Sequence, residues 1–290
     1  MSRIAYVNGQ YVPHATAVVH IEDRGFQFAD SVYEVCEVWD GEIIDMTRHL
    51  DRLNRSLGEL SIAWPVKRTA LEAILREVIR RNRVTDGLVY LQVTRGAAKR
   101  DFSFPKPGTP PTLVVTSRSI LKATRDKAGT DGIRVITTAD IRWERVDIKT
   151  TGMTAQVLAK EAAVRAGAKE AWMLDKEGRI TEGSSSTAWI VNGEGTLITR
   201  PTNMNILPGV TRAAIMDYAA ANDIKVEERP FTLEEAQKAR EAFVTSASAT
   251  ITPVVQIDDI VIGNGVPGSI ASQMRSVFHD YVEKQSLRHY

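Results

Sequence analysis

The sequence predicts an α+β fold divided into two domains. Three observations carry that expectation. Short runs of β-branched and aromatic residues follow one another in pairs around Asn-Gly and Asp-Gly dipeptides, and apolar residues at helical spacing occur in separate blocks. One internal stretch, RSILKATRDKAGTDG (118–132), loses apolar periodicity while gaining charge and glycine. With 290 residues, 43% of them hydrophobic, the chain can build two cores. The expected division is a smaller N-terminal α+β domain at 1–119, a linker at 120–132 and a larger C-terminal domain at 133–290.

The opening residues, MSRIAYVNGQYV, read as a hairpin around Asn8-Gly9. A second hairpin is expected in VYEVCEVWDGEIIDM (32–46), around Asp40-Gly41. From Thr47 the period changes: Leu50, Leu53, Leu57 and Leu60 form a helical stripe that leaves Arg48, Arg52, Arg55 and Glu59 off it. A second helix is expected over 66–82, then strands at 88–95 and 112–117. Beyond the linker come a strand near 133–139, a helix near 154–166, and strands at 170–175, 186–191 and 195–200. Helices follow at 210–222 and 232–239, the latter opened by a capping box of Thr232 and Glu235. A strand at 241–246, a hairpin near 254–262 and a C-terminal helix complete the pattern.

Composition excludes several function classes. A formal net charge of +1 gives no electrostatic case for nucleic acid or an anionic membrane as the main partner. Cys36 is the only cysteine, and the five histidines (14, 20, 49, 279 and 289) lack metal-ligand spacing, so neither a disulfide framework nor a metal site is expected. The first residues lack the apolar run of a signal peptide, and no segment is apolar for long enough to span a bilayer, so a cytoplasmic location is expected.

Five local features point to chemistry when taken together. Lys149 closes the stretch RWERVDIK (142–149) and is a Schiff-base nucleophile if an aldehyde binds beside it. In ILPGVTRAAIMDYAAA (206–221), Gly209 allows close approach of backbone, and the N–H groups of Val210 and Thr211 open a helix whose dipole favours an anion; an ordinary glycine turn would read the same. In FVTSASATITPV (243–254), small residues after a strand let amides converge on a ligand, or simply form a polar turn. Arg52 offers the permanent planar cation that a phosphate site needs. Glu182, in TEGSSS (181–186), is a turn residue or a carboxylate able to hold a ring nitrogen protonated.

The ordered combination of DRGFQFADSVYEV (23–35), HLDRL (49–53), TRGAAKRDFSFP (94–105), DIK (147–149), VLAKEAA (157–163), TEGSSS, ILPGVTR and TSASATITPV resembles the fold-type IV pyridoxal-phosphate aminotransferases of class IV, over roughly residues 4–265. Within that superfamily the chain most resembles the D-amino acid aminotransferases, through VYEVCEVWDGEI, TRGAAKR and TEGSSS. The resemblance implies two domains with pyridoxal 5′-phosphate between them. It implies that Lys149 forms the internal aldimine and shuttles the proton between substrate Cα and cofactor C4′, and that Glu182 pairs with the pyridine nitrogen. Arg52 and the amides of Val210, Thr211, Ser246 and Ala247 would hold the phosphate, and Leu207 would pack on the ring. Tyr33 would sit near the substrate, and Arg100 would capture its carboxylate across the interface of a homodimer.

The chain departs from the D-amino acid aminotransferase pattern at three places. Phe102 stands where a histidine is common, Thr151-Gly152 replaces a Leu-Asn pair after the lysine, and Ala247 replaces a threonine, leaving only its backbone N–H. The implied reaction is transfer of an amino group from a D-amino acid such as D-alanine to a 2-oxo acid such as 2-oxoglutarate, in ping-pong fashion. The alternatives are an (R)-amine or branched-chain transaminase, an aminodeoxychorismate lyase, or, from another class, a cofactor-binding protein without turnover.

Overall fold

Pairing of local hairpins and a change of period from two to 3.6 organise the chain, as the computed structural model shows for residues 3–203 and 205–286. The outermost residues of the expected domains, 1–2 and 287–290, lie outside this range, as does His289. The residues group into two units: Met1–Leu121 with Ile148–Gly152 and Lys284–Tyr290, and Lys122–Asp147 with Met153–Glu283.

The first unit contains β1 (Ile4–Val7), β2 (Gln10–Pro13), α1 (Arg24–Phe28), β3 (Ser31–Trp39), β4 (Glu42–Ile43), α2 (Met46–Glu59), α3 (Arg68–Asn82), β5 (Gly87–Thr94) and β6 (Thr112–Ser119). Its six strands form an antiparallel sheet in the order β2-β1-β6-β5-β3-β4. Asn8 and Gly9, with φ of 45° and 96°, make the first hairpin turn, because two successive positive φ angles match the twist of the flanking strands. Alternation along β3 and β5 sends Val32, Cys36, Val38, Val89, Leu91 and Val93 to one face. There they meet the stripe of α2 (Leu50, Leu53, Leu57) and the apolar side of α3.

The second unit contains α4 (Lys122–Asp131), β7 (Ile133–Ala139), α5 (Thr154–Arg165), β8 (Glu170–Leu174), β9 (Ile180–Gly183), β10 (Thr187–Val191), β11 (Leu197–Thr199), α6 (Val210–Ala221), β12 (Val226–Glu228), α7 (Leu233–Gln237), β13 (Glu241–Ser246), β14 (Thr250–Ile257), β15 (Ile260–Val261) and α8 (Ser269–Ser286). Eight strands run in the order β12-β11-β10-β13-β14-β7-β8-β9, with β15 beside β14. The sheet is mixed: β7 runs parallel to both β14 and β8, β12 runs parallel to β11, and the other pairs are antiparallel. Val135, Trp172, Ile190, Val244 and Val254 pack against Phe231 and Ala236 at α7. The capping box is present, with the Glu235 N–H donating to Thr232 Oγ1 at 3.1 Å.

Four elements had no periodic signal: α1, α4, β9 and β12. The stretch 120–132, expected as a linker, carries the ten-residue helix α4, which lies against β14. It has too few apolar residues to display a stripe, and contact with the sheet supplies what propensity does not. Residues 148–152, expected inside the C-terminal domain, are instead paired to β3. A bridge joins Val32 to Thr150, the Tyr33 N–H donates to the Lys149 carbonyl at 3.0 Å, and the Thr151 N–H donates to the Ser31 carbonyl at 3.2 Å. Sequence periodicity cannot register a pairing across so many intervening residues.

Among the described residues, no helix is long and apolar enough to cross a membrane. Leu53 is fully buried at the centre of the first core. Leu53→Ala is expected to lower unfolding free energy by about 2–5 kcal/mol, read from chemical denaturation.

Candidate active site

Pairing along the edge of β3 sets the position of Lys149. Its neighbour Ile148 is buried in the first core, so alternation turns the lysine to the opposite face of the sheet. The Lys149 Nζ lies 4.3 Å from the centroid of the Tyr33 ring, and Tyr33 packs on Tyr90 at 5.7 Å. Burial, with a smaller contribution from Tyr33, pushes the Tyr90 phenol up to about 12, so it remains a hydrogen-bond donor. Lys149 and Tyr33, separate in sequence, are brought together.

Arg52 is not on a solvated helix face. It is buried, and it donates through Nε and Nη2 to the two oxygens of Glu34, at 2.8 Å each. His49 Nδ1 lies 2.7 Å from the same carboxylate. Burial alone would raise the Glu34 pKa, but Arg52 and His49 outweigh it and hold it at about 2. The bidentate pair locks the guanidinium plane. Glu34 is an acidic residue at an inward position of an otherwise apolar strand face, and His49 stands one helical turn before Arg52. That pattern was the available signal for two residues that periodicity alone passed over.

In the second unit Glu182 lies within β9 rather than in a turn. Its carboxylate accepts from Arg142 Nη1 and, at 3.3 Å, from the backbone N–H of Leu207. Arg142 also donates to both oxygens of Asp140, at 2.9 Å and 2.6 Å, and Thr181 Oγ1 donates to Asp140 at 2.7 Å. Burial opposes the Asp140 charge, yet Arg142 holds its carboxyl below the ordinary range. The serines of TEGSSS serve a residue with no motif of its own: Ser184, Ser185 and Ser186 all hydrogen-bond the buried carboxylate of Glu170. They fix the backbone that follows Glu182.

Gly209 caps α6, and no side chain caps that end. A Cβ on Gly209 would lie 3.0 Å from Thr187 Oγ1 and 3.3 Å from Arg212 Cβ, so helix end and strand approach as closely as glycine permits. Thr187 is in register with Thr245, the residue before Ser246. The α6 N-terminus with Val210 and Thr211, and the turn with Ser246 and Ala247, are therefore brought together around β10. The remaining expected residues stand elsewhere in the first unit. Asp30 joins Arg24 at 2.8 Å and Arg95 at 2.7 Å, and Arg24 Nη1 donates to the Asp101 carbonyl at 2.7 Å, which anchors the loop bearing Arg100 and Phe102. The Phe28 ring is flanked by Arg24 at 4.8 Å and Arg100 at 4.9 Å, while Phe102 is 83% exposed.

The family described as amino-transferase class IV matches residues 31–257, which include Lys149, Glu182, Gly209 and Ser246. The chain belongs to the class IV aminotransferases. It is 36% identical to a D-alanine aminotransferase of Staphylococcus haemolyticus over 97% of this chain and 98% of that one. A D-alanine aminotransferase of Bacillus licheniformis is 33% identical, with the same coverage. Among solved structures, the Escherichia coli branched-chain amino acid aminotransferase superposes with a TM-score of 0.89 at 25% identity, covering 97% of this chain and 94% of that one. A second branched-chain amino acid aminotransferase, complexed with N-(5′-phosphopyridoxyl)-L-glutamate, gives 0.87 at 27% identity with the same coverage.

Class IV aminotransferases use pyridoxal phosphate, and this member is a pyridoxal-phosphate-dependent transaminase. Its residues fit the group. An amine lies on an aromatic face, a carboxylate is held by a buried guanidinium, and a 12-residue helix begins at a glycine where added bulk would collide with Thr187. Sequence reading missed Arg142, Asp140, Glu34, His49 and Glu170. Periodicity gave no signal for the contacts of Arg142 with Glu182, 40 residues on, or of Glu170 with Ser184, 14 residues on.

Two outcomes are expected of this class IV aminotransferase. Glu34→Gln removes the buried carboxylate charge that pairs with Arg52 Nε and Nη2 and is expected to cost about 3–5 kcal/mol, read by urea denaturation. Because the folded Glu34 pKa is depressed, its contribution is complete above the ordinary value of 4.5 and is lost as pH falls toward about 2. The wild type should therefore lose stability across that window more steeply than Glu34→Gln.

Proposed function

We propose that this transaminase moves the amino group of a D-amino acid of the D-alanine kind to a 2-oxo acid such as 2-oxoglutarate, releasing one product before the second substrate binds. The observation that carries this reading is the nearly full-length similarity to D-alanine aminotransferases at 33–36% identity, with the lysine, the glutamate and the arginine of the implied site all in place. The structures that superpose on it are branched-chain enzymes at 25–27% identity, which favours a branched-chain transaminase as the second reading. Phe102, apolar and exposed, extends the second reading to (R)-amines. An aminodeoxychorismate lyase is the remaining alternative within the superfamily.

The cofactor supplies an electron sink that lowers the cost of removing the substrate Cα proton. Lys149 would hold the cofactor through its amine and, once freed, would carry the proton taken from the substrate Cα. Its perch over the Tyr33 ring supports that placement. Glu182 would pair with the pyridine nitrogen, and Arg142 keeps its carboxylate aligned. Arg52, fixed by Glu34, and the N–H groups of Val210, Thr211, Ser246 and Ala247 would hold the phosphate, and Leu207 would pack on the ring. Tyr33 borders the substrate, and Arg100 binds its carboxylate from the neighbouring subunit of a homodimer.

The visible absorption spectrum of the holoenzyme tests this reading. D-alanine alone should convert the cofactor band to that of the aminated cofactor, L-alanine should not, and Lys149→Ala should lack the lysine-linked band. Turnover of L-leucine or (R)-1-phenylethylamine in preference to D-alanine would overturn the donor assignment while leaving the transaminase intact. Gly209→Ala is expected to weaken cofactor affinity about tenfold or more, measured by titrating the apoenzyme, since the added methyl group pushes α6 from Thr187.

A further inference from the structure

Thr151 follows Lys149 by two residues, and its side chain ends a chain of hydrogen bonds across the sheet of the first unit. Tyr90 Oη donates to Gln92 Oε1 at 2.8 Å, and Gln92 Nε2 donates to Ser31 Oγ at 3.3 Å. Ser31 Oγ pairs with Thr151 Oγ1, and Thr151 Oγ1 stands 3.5 Å from the Ala29 carbonyl. A carboxamide N–H can only donate, so Ser31 Oγ accepts from Gln92; in the Ser31–Thr151 pair either hydroxyl can donate. With the Ser31 hydroxyl donating to Thr151, the Thr151 proton is free to point at the Ala29 carbonyl. From Tyr90 to Ala29 each group thus has a hydrogen-bond partner.

The two residues that replace Leu-Asn after the lysine differ in what they contribute. Gly152 has no positive φ, and a Cβ there would meet nothing nearer than Thr150 Oγ1 at 3.6 Å, so neither backbone nor space requires glycine. Thr151, by contrast, holds β3 twice: its N–H donates to the Ser31 carbonyl at 3.2 Å, and its hydroxyl pairs with the Ser31 hydroxyl. The Ser31 side chain is completely buried, so an unpaired hydroxyl there would be costly. The same strand presents Tyr33, which accepts the lysine on its ring and donates its N–H to the Lys149 carbonyl.

We propose that Thr151 is a positioning residue for Lys149, and that the Tyr90–Gln92–Ser31–Thr151 chain holds the lysine segment to β3 so that the amine stays over Tyr33. The proposal rests on the reading of Lys149 as the cofactor-bearing lysine. Misplacing a proton-carrying group slows the chemical step without changing how substrate is bound.

The experiment compares Thr151→Val, Thr151→Ser and Ser31→Ala with the wild-type holoenzyme. Amide hydrogen exchange in a peptide spanning 148–152 is read first, then kcat and KM. Thr151→Val and Ser31→Ala should each speed exchange of that segment about tenfold and lower kcat five- to thirtyfold, with KM within twofold. Thr151→Ser, which keeps the hydroxyl, should restore both. The double variant should be no worse than the worse single one, because both changes cut one chain. If Thr151→Val and Ser31→Ala both leave exchange and kcat at wild-type values, or if Thr151→Ser fails to restore them, the proposal is overturned. Exchange is measured without substrate, so failure of the D-amino acid reading would leave this result standing.

Discussion

The short pairing of residues 148–152 with the opening of β3 is the constraint on which the lysine side of the site depends. Two backbone hydrogen bonds, Tyr33 N–H to Lys149 and Thr151 N–H to Ser31, place the lysine at the edge of a sheet whose strands come from the first 121 residues. Period-two alternation then decides the rest. Ile148 enters the apolar core beneath the sheet, and the lysine emerges on the face that carries Tyr33, Tyr90 and Gln92. A shift of one residue would exchange these faces and bury the amine among leucines and valines.

Charge is handled in the same way in both units. A buried carboxylate is paired with a planar guanidinium, and a third polar group completes the arrangement: His49 for Glu34 and Arg52, Asp140 for Glu182 and Arg142. Such pairs contribute little net stability, because removing two charges from water costs several kcal/mol per ion, an order-of-magnitude figure of about the size of their attraction. What they give is orientation. A guanidinium held at two nitrogens cannot rotate, so its direction is set before any ligand arrives.

Most of the fold was legible in the sequence because its signals are local. The leucine stripe of α2, the two hairpins with Asn8-Gly9 and Asp40-Gly41, and the Thr232 capping box each require only a few adjacent residues. The helix α4 was not legible, since it has almost no apolar stripe and forms against β14. For the candidate site, Lys149, Glu182, Arg52 and the glycine-opened helix α6 were singled out as residue types in recognisable strings. Their supporting partners were not. The contacts of Arg142 with Glu182 and of Glu170 with Ser184 join residues 40 and 14 positions apart.

The sequence by itself determined most of the elements, the family and the candidate chemical groups, because periodicity, turn chemistry and motif order are properties of neighbouring residues. Only the tertiary structure decided that Arg52 is a buried, doubly bonded cation rather than a solvated one, and that Glu182 lies in a strand opposite Arg142. It also decided that Thr151, which replaces an apolar residue of the familiar pattern, has a hydroxyl partner in Ser31, 120 residues earlier. Hydrogen bonds and burial depend on what the folded chain brings within a few ångströms, and separation along the sequence carries no record of that distance.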